Sequence, residues 1–146
     1  MNNIIVLDHN YTDEVLAILK QSKLPTEDVD LEKQLFIGYQ SEERLTGIGA
    51  LEIFGKNALL RSMAVVYSSQ NRGLGSKLVS RLIQEADLRQ VKNIYLLTET
   101  AQTFFEKHDF IQTARNEVPE IILQSAEFKK LCPTTAICMQ YFMNHK

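Results

Sequence analysis

The chain alternates between short apolar runs and segments with helical spacing. Ile4 to Leu7 is a four-residue apolar run and predicts a first strand. Val15, Leu16, Ile18 and Leu19 then recur at helical spacing behind Thr12, a candidate N-cap. That helix should end before Leu24-Pro25, because a residue preceding proline avoids the helical region. Thr26-Glu27-Asp28 offers a second N-cap with acids in the first turn, which predicts a short helix. Leu35 to Tyr39, Leu45 to Phe54 and Ala58 to Val66 read as three strands. Polar turns at Ser41–Arg44 and Gly55–Asn57 join them into an antiparallel meander. A polar loop from Tyr67 leads into Leu74, Leu78, Val79, Leu82, Ile83 and Ala86, one stripe of a strong helix. Asn93 closes that segment, and Ile94 to Leu97 is a continuously apolar, buried strand. Strand, helix, strand in this order is a crossover, so the strands near 59–66 and 94–97 should run parallel. Thr100 is expected to cap a helix reaching about Lys107, Pro119 to begin one reaching about Leu123 or beyond, and Thr135 to Phe142 to form the last strand. The expected class is α+β: a mostly antiparallel mixed sheet with one parallel pair and helices on both faces.

Composition narrows the possibilities without changing this picture. A length of 146 residues fits one domain, 1–146. The chain is 45% hydrophobic and 23% charged, values of a globular protein rather than a disordered one. Sixteen Lys and Arg against 18 Asp and Glu exclude a broadly basic nucleic-acid binder, but leave room for a local phosphate site. An apolar run of about 18 residues, the mark of a membrane span, is lacking. The start of the chain does not resemble a signal peptide, and Cys132 and Cys138 make no disulfide framework. A cytoplasmic, reduced protein is therefore expected. His9, His108 and His145 are scattered and form no metal pair, so no metal is expected. The two cysteines read as small buried thiols.

The informative chemistry lies in Gln70-x-x-Gly73-x-Gly75, placed after a strand and opening a helix. A helix N-terminus presents unpaired N–H groups and about half a positive charge. Glycines allow backbone to approach a phosphate closely. Asn71, Arg72, Gly73, Leu74, Gly75 and Ser76 can thus aim amides at a pyrophosphate, with Arg72 or Lys77 adding charge. Position 78 is Leu78, so the three-glycine dinucleotide fingerprint is not met, and a Walker loop is absent. Arg61 sits in an otherwise apolar strand and needs a carboxylate, from the protein or from a ligand. Arg115 is a second candidate for the ligand role.

The stretch from Leu59 to Val66, continued through Gln70-Asn71-Arg72-Gly73-Leu74-Gly75-Ser76, resembles the acetyl-CoA motif of the GNAT superfamily of N-acetyltransferases. Ala101-x-x-Phe104-Phe105 with Phe110 resembles that family's later helix. Narrower pieces resemble its arsenic-resistance branch: Leu59-Leu60-Arg61-Ser62, Tyr95 to Ala101, Val118-Pro119, Glu127-Phe128 and Leu131-Cys132-Pro133. The Leu-Thr-x-Thr and Val-Pro pieces are also similar to the acetyltransferase domain of N-acetylglutamate synthase. The resemblance implies acetyl-CoA as cosubstrate, a small amino-acid-like amine or an arsenical as acceptor, direct attack on the thioester, and a homodimer through late strands. Met63, Ala64 and Val65 would carry the oxyanion donor, and Gln70 to Ser76 and Thr98 would contact the cofactor. Glu52, Glu99 or water would deprotonate the amine. Ser62, water or the amine's own proton would protonate the thiolate, because the family's tyrosine acid is Phe105 here. Its glycine is Asp109, and its asparagine on the pantetheine side is Thr98. The missing tyrosine leaves a non-catalytic acyl-CoA sensor as the rival reading, and a peptide N-acetyltransferase as a rival among enzymes.

Overall fold

The computed structural model describes residues 3–131 and 135–143. In chain order the main elements are β1 (Ile4–Leu7), α1 (Thr12–Gln21), β2 (Leu35–Ser41), β3 (Arg44–Phe54) and β4 (Asn57–Val65). Then follow α2 (Leu74–Leu88), β5 (Asn93–Thr98), α3 (Gln102–Glu106), β6 (Ile111–Gln112), α4 (Glu120–Leu123) and β7 (Ile137–Phe142). The strands form one sheet in the order β1-β2-β3-β4-β5-β7-β6. Every neighbouring pair is antiparallel except β4 and β5, the parallel crossover expected from the sequence.

Strand alternation sorts the side chains into cores on the two faces. Ile37, Leu51, Leu60, Ile94 and Leu96 pack with Leu78, Val79, Leu82 and Ala86 of α2. Their strand neighbours point the other way. Phe36, Ile48 and Ala50 meet Val15, Ile18 and Leu19 of α1, whereas Leu59 and Tyr95 meet Ile122 and Phe128. Helices therefore cover both faces.

Three local expectations change, and one element is added. The segment from Thr26 to Asp28 is a turn rather than a helix. Its backbone is claimed by tertiary bonds: Gln34 Nε2 donates to the Asp28 carbonyl, and the Asp28 side chain leaves for β4. Thr12 is the first helical residue rather than the cap, and its hydroxyl donates to the His9 carbonyl at 2.7 Å. Thr98, not Thr100, receives the Ala101 N–H at 3.0 Å ahead of α3. Finally, Glu127–Leu131 forms a π-helical turn that no periodicity signalled.

Candidate active site

The site is built from a defect in the sheet. Along β3 and β4, Ile48 pairs with Ala64 and Ala50 pairs with Arg61. Gly49 therefore opposes two residues, Ser62 and Met63, and β4 bulges there. Ser62 takes the left-handed conformation the bulge requires, φ 60°. Gly49 makes room for it: a Cβ on Gly49 would lie 2.6 Å from Met63 Sδ and 3.0 Å from Leu82 Cδ1. On its other side β4 pairs with β5 at Asn57, Ala58 and Leu59. Beyond Leu59 the ladder stops and the two strands separate. A bulged strand with one unpaired edge leaves backbone amides near Met63 available to a ligand.

A cleft of about 1390 Å³ opens at this separation. Its walls include Arg61 to Val65 of β4, Leu96 to Thr98 of β5, Phe104 and Phe105 of α3, and Glu127. One end reaches the start of α2. Gly73 holds φ 78° there and makes no side-chain cap, so the first amides of α2 have no partner from a capping side chain. Gly75 lies under the Phe104 ring, where an added Cβ would sit 3.2 Å from the ring. Gln70 braces the loop by donating from Nε2 to the Val65 carbonyl at 3.1 Å. Ser76 Oγ meets His108 Nε2 at 3.0 Å, tying α2 to the turn after α3. This geometry suits a diphosphate: amides and a helix N-terminus at the mouth, no side chain at Gly75, and a deep slot beyond.

The sequence-predicted residues divide clearly. Met63, Ala64, Val65, Gln70, Asn71, Gly73, Leu74, Gly75, Ser76 and Thr98 all line the cleft, as do Ser62 and Glu99. Arg72 is exposed and outside the lining, so its backbone place in the loop is not matched by a side chain in the wall. Glu99 is exposed at the rim. Glu52 and Arg115 are not part of the wall. Arg115 instead holds the Ala136 carbonyl at 3.0 Å and lies 5.8 Å from the Phe128 ring centre. Phe105 is buried edge-on against Phe104 and Phe110.

Arg61 is paired within the protein. Its guanidinium is fully buried and grips Asp28 through two bonds of 2.6 Å. Nη1 also donates to Glu52 Oε1 at 3.2 Å. Nε faces Ser62 Oγ at 3.4 Å and Glu127 Oε1 at 3.6 Å. The fork that a ligand carboxylate would use is held by Asp28, so of the two sources left open for the Arg61 partner, the protein supplies one here. Burial alone would lower the Arg61 pKa, but the Asp28 bond and the charges of Glu127, Asp28 and Glu52 raise it above its ordinary value.

Asp28 and Glu127 escaped sequence reasoning as site residues. Asp28 looked like an acid in a helix first turn, and Glu127 was part of a family-like phrase with no role. Burial pushes the Glu127 carboxyl up to about 7, against the pull of Arg61; Asp28 and Glu52 push the same way. A detectable signal was the unpaired strand arginine, which demanded acids from somewhere in the chain. Cys138 is buried, and its thiol is pushed up to about 11, so it is an unreactive packing group. Cys132 lies outside the described residues. Among the described residues, no group of three or more His, Cys, Asp or Glu side chains could hold a metal. No described helix is long and apolar enough to cross a membrane.

A family model described as an acetyltransferase (GNAT) domain matches residues 32–112, the span that holds the bulge, the parted strands and the glycine loop. The chain belongs to the GNAT acetyltransferase family. Solved structures with the same fold agree with this placement. N-acetylglutamate synthase from Neisseria gonorrhoeae, complexed with coenzyme A and N-acetyl-glutamate, has a TM-score of 0.80 at 14% identity. That similarity covers 97% of this chain, which spans 35% of the synthase chain. Rv2747 from Mycobacterium tuberculosis, solved with coenzyme A and a second ligand, gives 0.79 at 19% identity over 95% of this chain and 98% of the other. A GNAT-family acetyltransferase from Staphylococcus aureus gives 0.75 at 17% identity over 97% and 99%. Asp109 retains φ 71° where the family resemblance placed a glycine.

Proposed function

We propose that the protein transfers the acetyl group of acetyl-CoA to the amine of a small amino-acid-like acceptor. The observation that carries this reading is the bulge at Ser62–Met63 facing the gap where β4 leaves β5, in one cleft with the start of α2. The loop from Asn71 to Ser76 would hold the diphosphate through main-chain nitrogens. The parted strands would receive the extended arm between them, as a third strand-like segment. The amides around Met63 to Val65 would then face the thioester oxygen, where donors of this kind are commonly worth about 3–4 kcal/mol. The neighbour bound to N-acetyl-glutamate supports an amino-acid-like acceptor, and the branch resemblance adds arsenicals to the candidates.

A second reading is favoured by Phe105. Its buried ring supplies no proton for the departing thiolate. A protein that binds acetyl-CoA and transfers nothing would be a sensor on the same fold. Free-thiol release from acetyl-CoA, measured across amino acids, small peptides and amine-bearing arsenicals, separates the readings. Acceptor-dependent release that yields an N-acetyl product is the expected result. Tight acetyl-CoA binding without release on any amine would establish the sensor. In either case Gly75→Glu should weaken acetyl-CoA binding at least tenfold, because a long acid would occupy the diphosphate end against Phe104.

A further inference from the structure

Glu127 has the placement of a reacting group. It opens the π-helical turn Glu127–Leu131, a backbone form that recurs at functional positions. The turn is pinned on its N-terminal side and by its second residue. Ser125 is buried, its Oγ accepts the Phe128 N–H at 3.4 Å, and its carbonyl accepts the Lys129 N–H at 3.0 Å. The Phe128 ring is buried with Leu59, Tyr95, Val118, Ile122 and Cys138 beneath the sheet. The Glu127 side chain is buried, and it lines the cleft. Arg61 Nε lies between Glu127 Oε1 at 3.6 Å and Ser62 Oγ at 3.4 Å. That places the carboxylate one guanidinium edge from the bulge, where the acyl carbon would sit. Arg61 spends its two strongest bonds on Asp28. Glu127 is left with a longer contact and no hydrogen bond to the guanidinium.

We propose that Glu127 is the base that removes the ammonium proton of the acceptor, an assignment that rests on the acetyl-transfer reading above. The ammonium N–H bond breaks and its proton passes to the Glu127 carboxylate. The freed nitrogen lone pair forms the C–N bond, and the C–S bond breaks with its electron pair leaving on sulfur. The second proton lost from nitrogen ends on the thiolate, and the proton on Glu127 returns to solvent. Among the described residues, the charged groups facing Glu127 are Arg61 of β4, Asp28 of the segment before β2 and Glu52 of β3. One guanidinium among three carboxylates cannot neutralise them all, and the most buried of the three is the one poised to gain and lose a proton near neutrality. Glu52 lies outside the cleft wall and Glu99 is exposed at its rim, so neither is an enclosed carboxylate facing the cleft.

The test is the pH profile of kcat/KM for Glu127→Gln, Glu127→Asp, Glu52→Gln and Glu99→Gln, with acetyl-CoA affinity measured alongside. Wild type should gain activity through an acid limb near pH 7, where the base ionises. Glu127→Gln should lose that limb and fall about 10²–10⁴-fold with acetyl-CoA affinity intact. The deficit should shrink as alkaline pH frees the amine in solution. Glu127→Asp should keep the limb with its midpoint displaced, Glu99→Gln should keep it in place, and Glu52→Gln should keep it with the midpoint moved to lower pH, because the Glu52 charge helps to hold the Glu127 carboxyl up. An unmoved limb in both Glu127 variants, or its loss in Glu52→Gln or Glu99→Gln, overturns the assignment while leaving acetyl transfer standing. If Glu127→Gln does not fold, an unmoved limb in Glu127→Asp overturns it alone. Absence of transfer by the wild type on any amine would overturn the acetyl-transfer reading and this inference with it.

Discussion

Arg61 shows how much can rest on one side chain. A guanidinium withdrawn from water on an apolar strand is costly unless charge and hydrogen bonds compensate it. Here the compensation joins four parts of the chain: β4 itself, Asp28 before β2, Glu52 on β3 and Glu127 after α4. Replacing Arg61 by Leu would leave three carboxylates facing one another across the same space. The expected loss is about 3–5 kcal/mol at neutral pH, the usual range for one-sided removal of a buried pair. The loss should be smaller at acid pH, where the carboxylates are protonated. Chemical denaturation of Arg61→Leu at two pH values checks both statements. An equal loss at each pH would mean that packing, rather than charge, holds Arg61 in place.

At the scale of elements, legibility followed locality. The β2–β4 meander, α2 and the parallel β4–β5 crossover were readable because each depends on a period or a turn within a few residues. The walls of the cleft were readable to the same extent: the glycine loop and the β4 segment, which line it, leave glycines and an apolar run in the sequence. Asp28 and Glu127 were not, because their role comes from meeting Arg61 from 33 and 66 residues away, and no local pattern records that. The two-residue β6 and the π turn are likewise set by tertiary contact, not by propensity. Asp109 is a case where sequence and backbone pull apart. It sits at φ 71° in the turn that closes α3, and its N–H reaches the Glu106 carbonyl at 3.1 Å. Holding a non-glycine residue there costs about 1–2 kcal/mol, less for Asp than for most. Asp109→Gly should therefore raise stability by about 0.5–1 kcal/mol, net of the extra unfolded-state entropy of glycine. A loss of stability in thermal unfolding would instead assign the Asp109 carboxylate a contact worth more than the backbone strain.

For the molecule as a whole, the same cluster sets how stability responds to pH. Glu127 is lifted from 4.5 to about 7 in the folded state. The folded chain then binds more protons than the unfolded chain between those values, so stability must fall as pH rises across that window. Below about 4.5 the group is neutral in both states and costs nothing; above about 7 the folded state carries the full burden of a buried charge. Glu85 acts in the opposite sense. Its hydrogen bond to Arg81 is the largest influence holding its pKa below the ordinary value, with Arg89 helping. Its contribution is present above the unfolded pKa and is lost as pH falls through the folded one, so it drops out only in acid. Comparing each variant with wild type isolates the two effects. Glu127→Gln should be nearly as stable as wild type near pH 4.5, or slightly less, and should gain on it steadily up to about pH 7. Glu85→Gln should show its deficit at neutral pH and recover toward wild type in acid. Paired unfolding curves for wild type and both variants across this range read the difference directly. A Glu127→Gln difference that stayed flat with pH would mean the folded-state carboxyl titrates at an ordinary value. A rising difference would show that the fold holds a destabilising group in the cleft wall, as expected where a buried acid is kept for its chemistry rather than for stability.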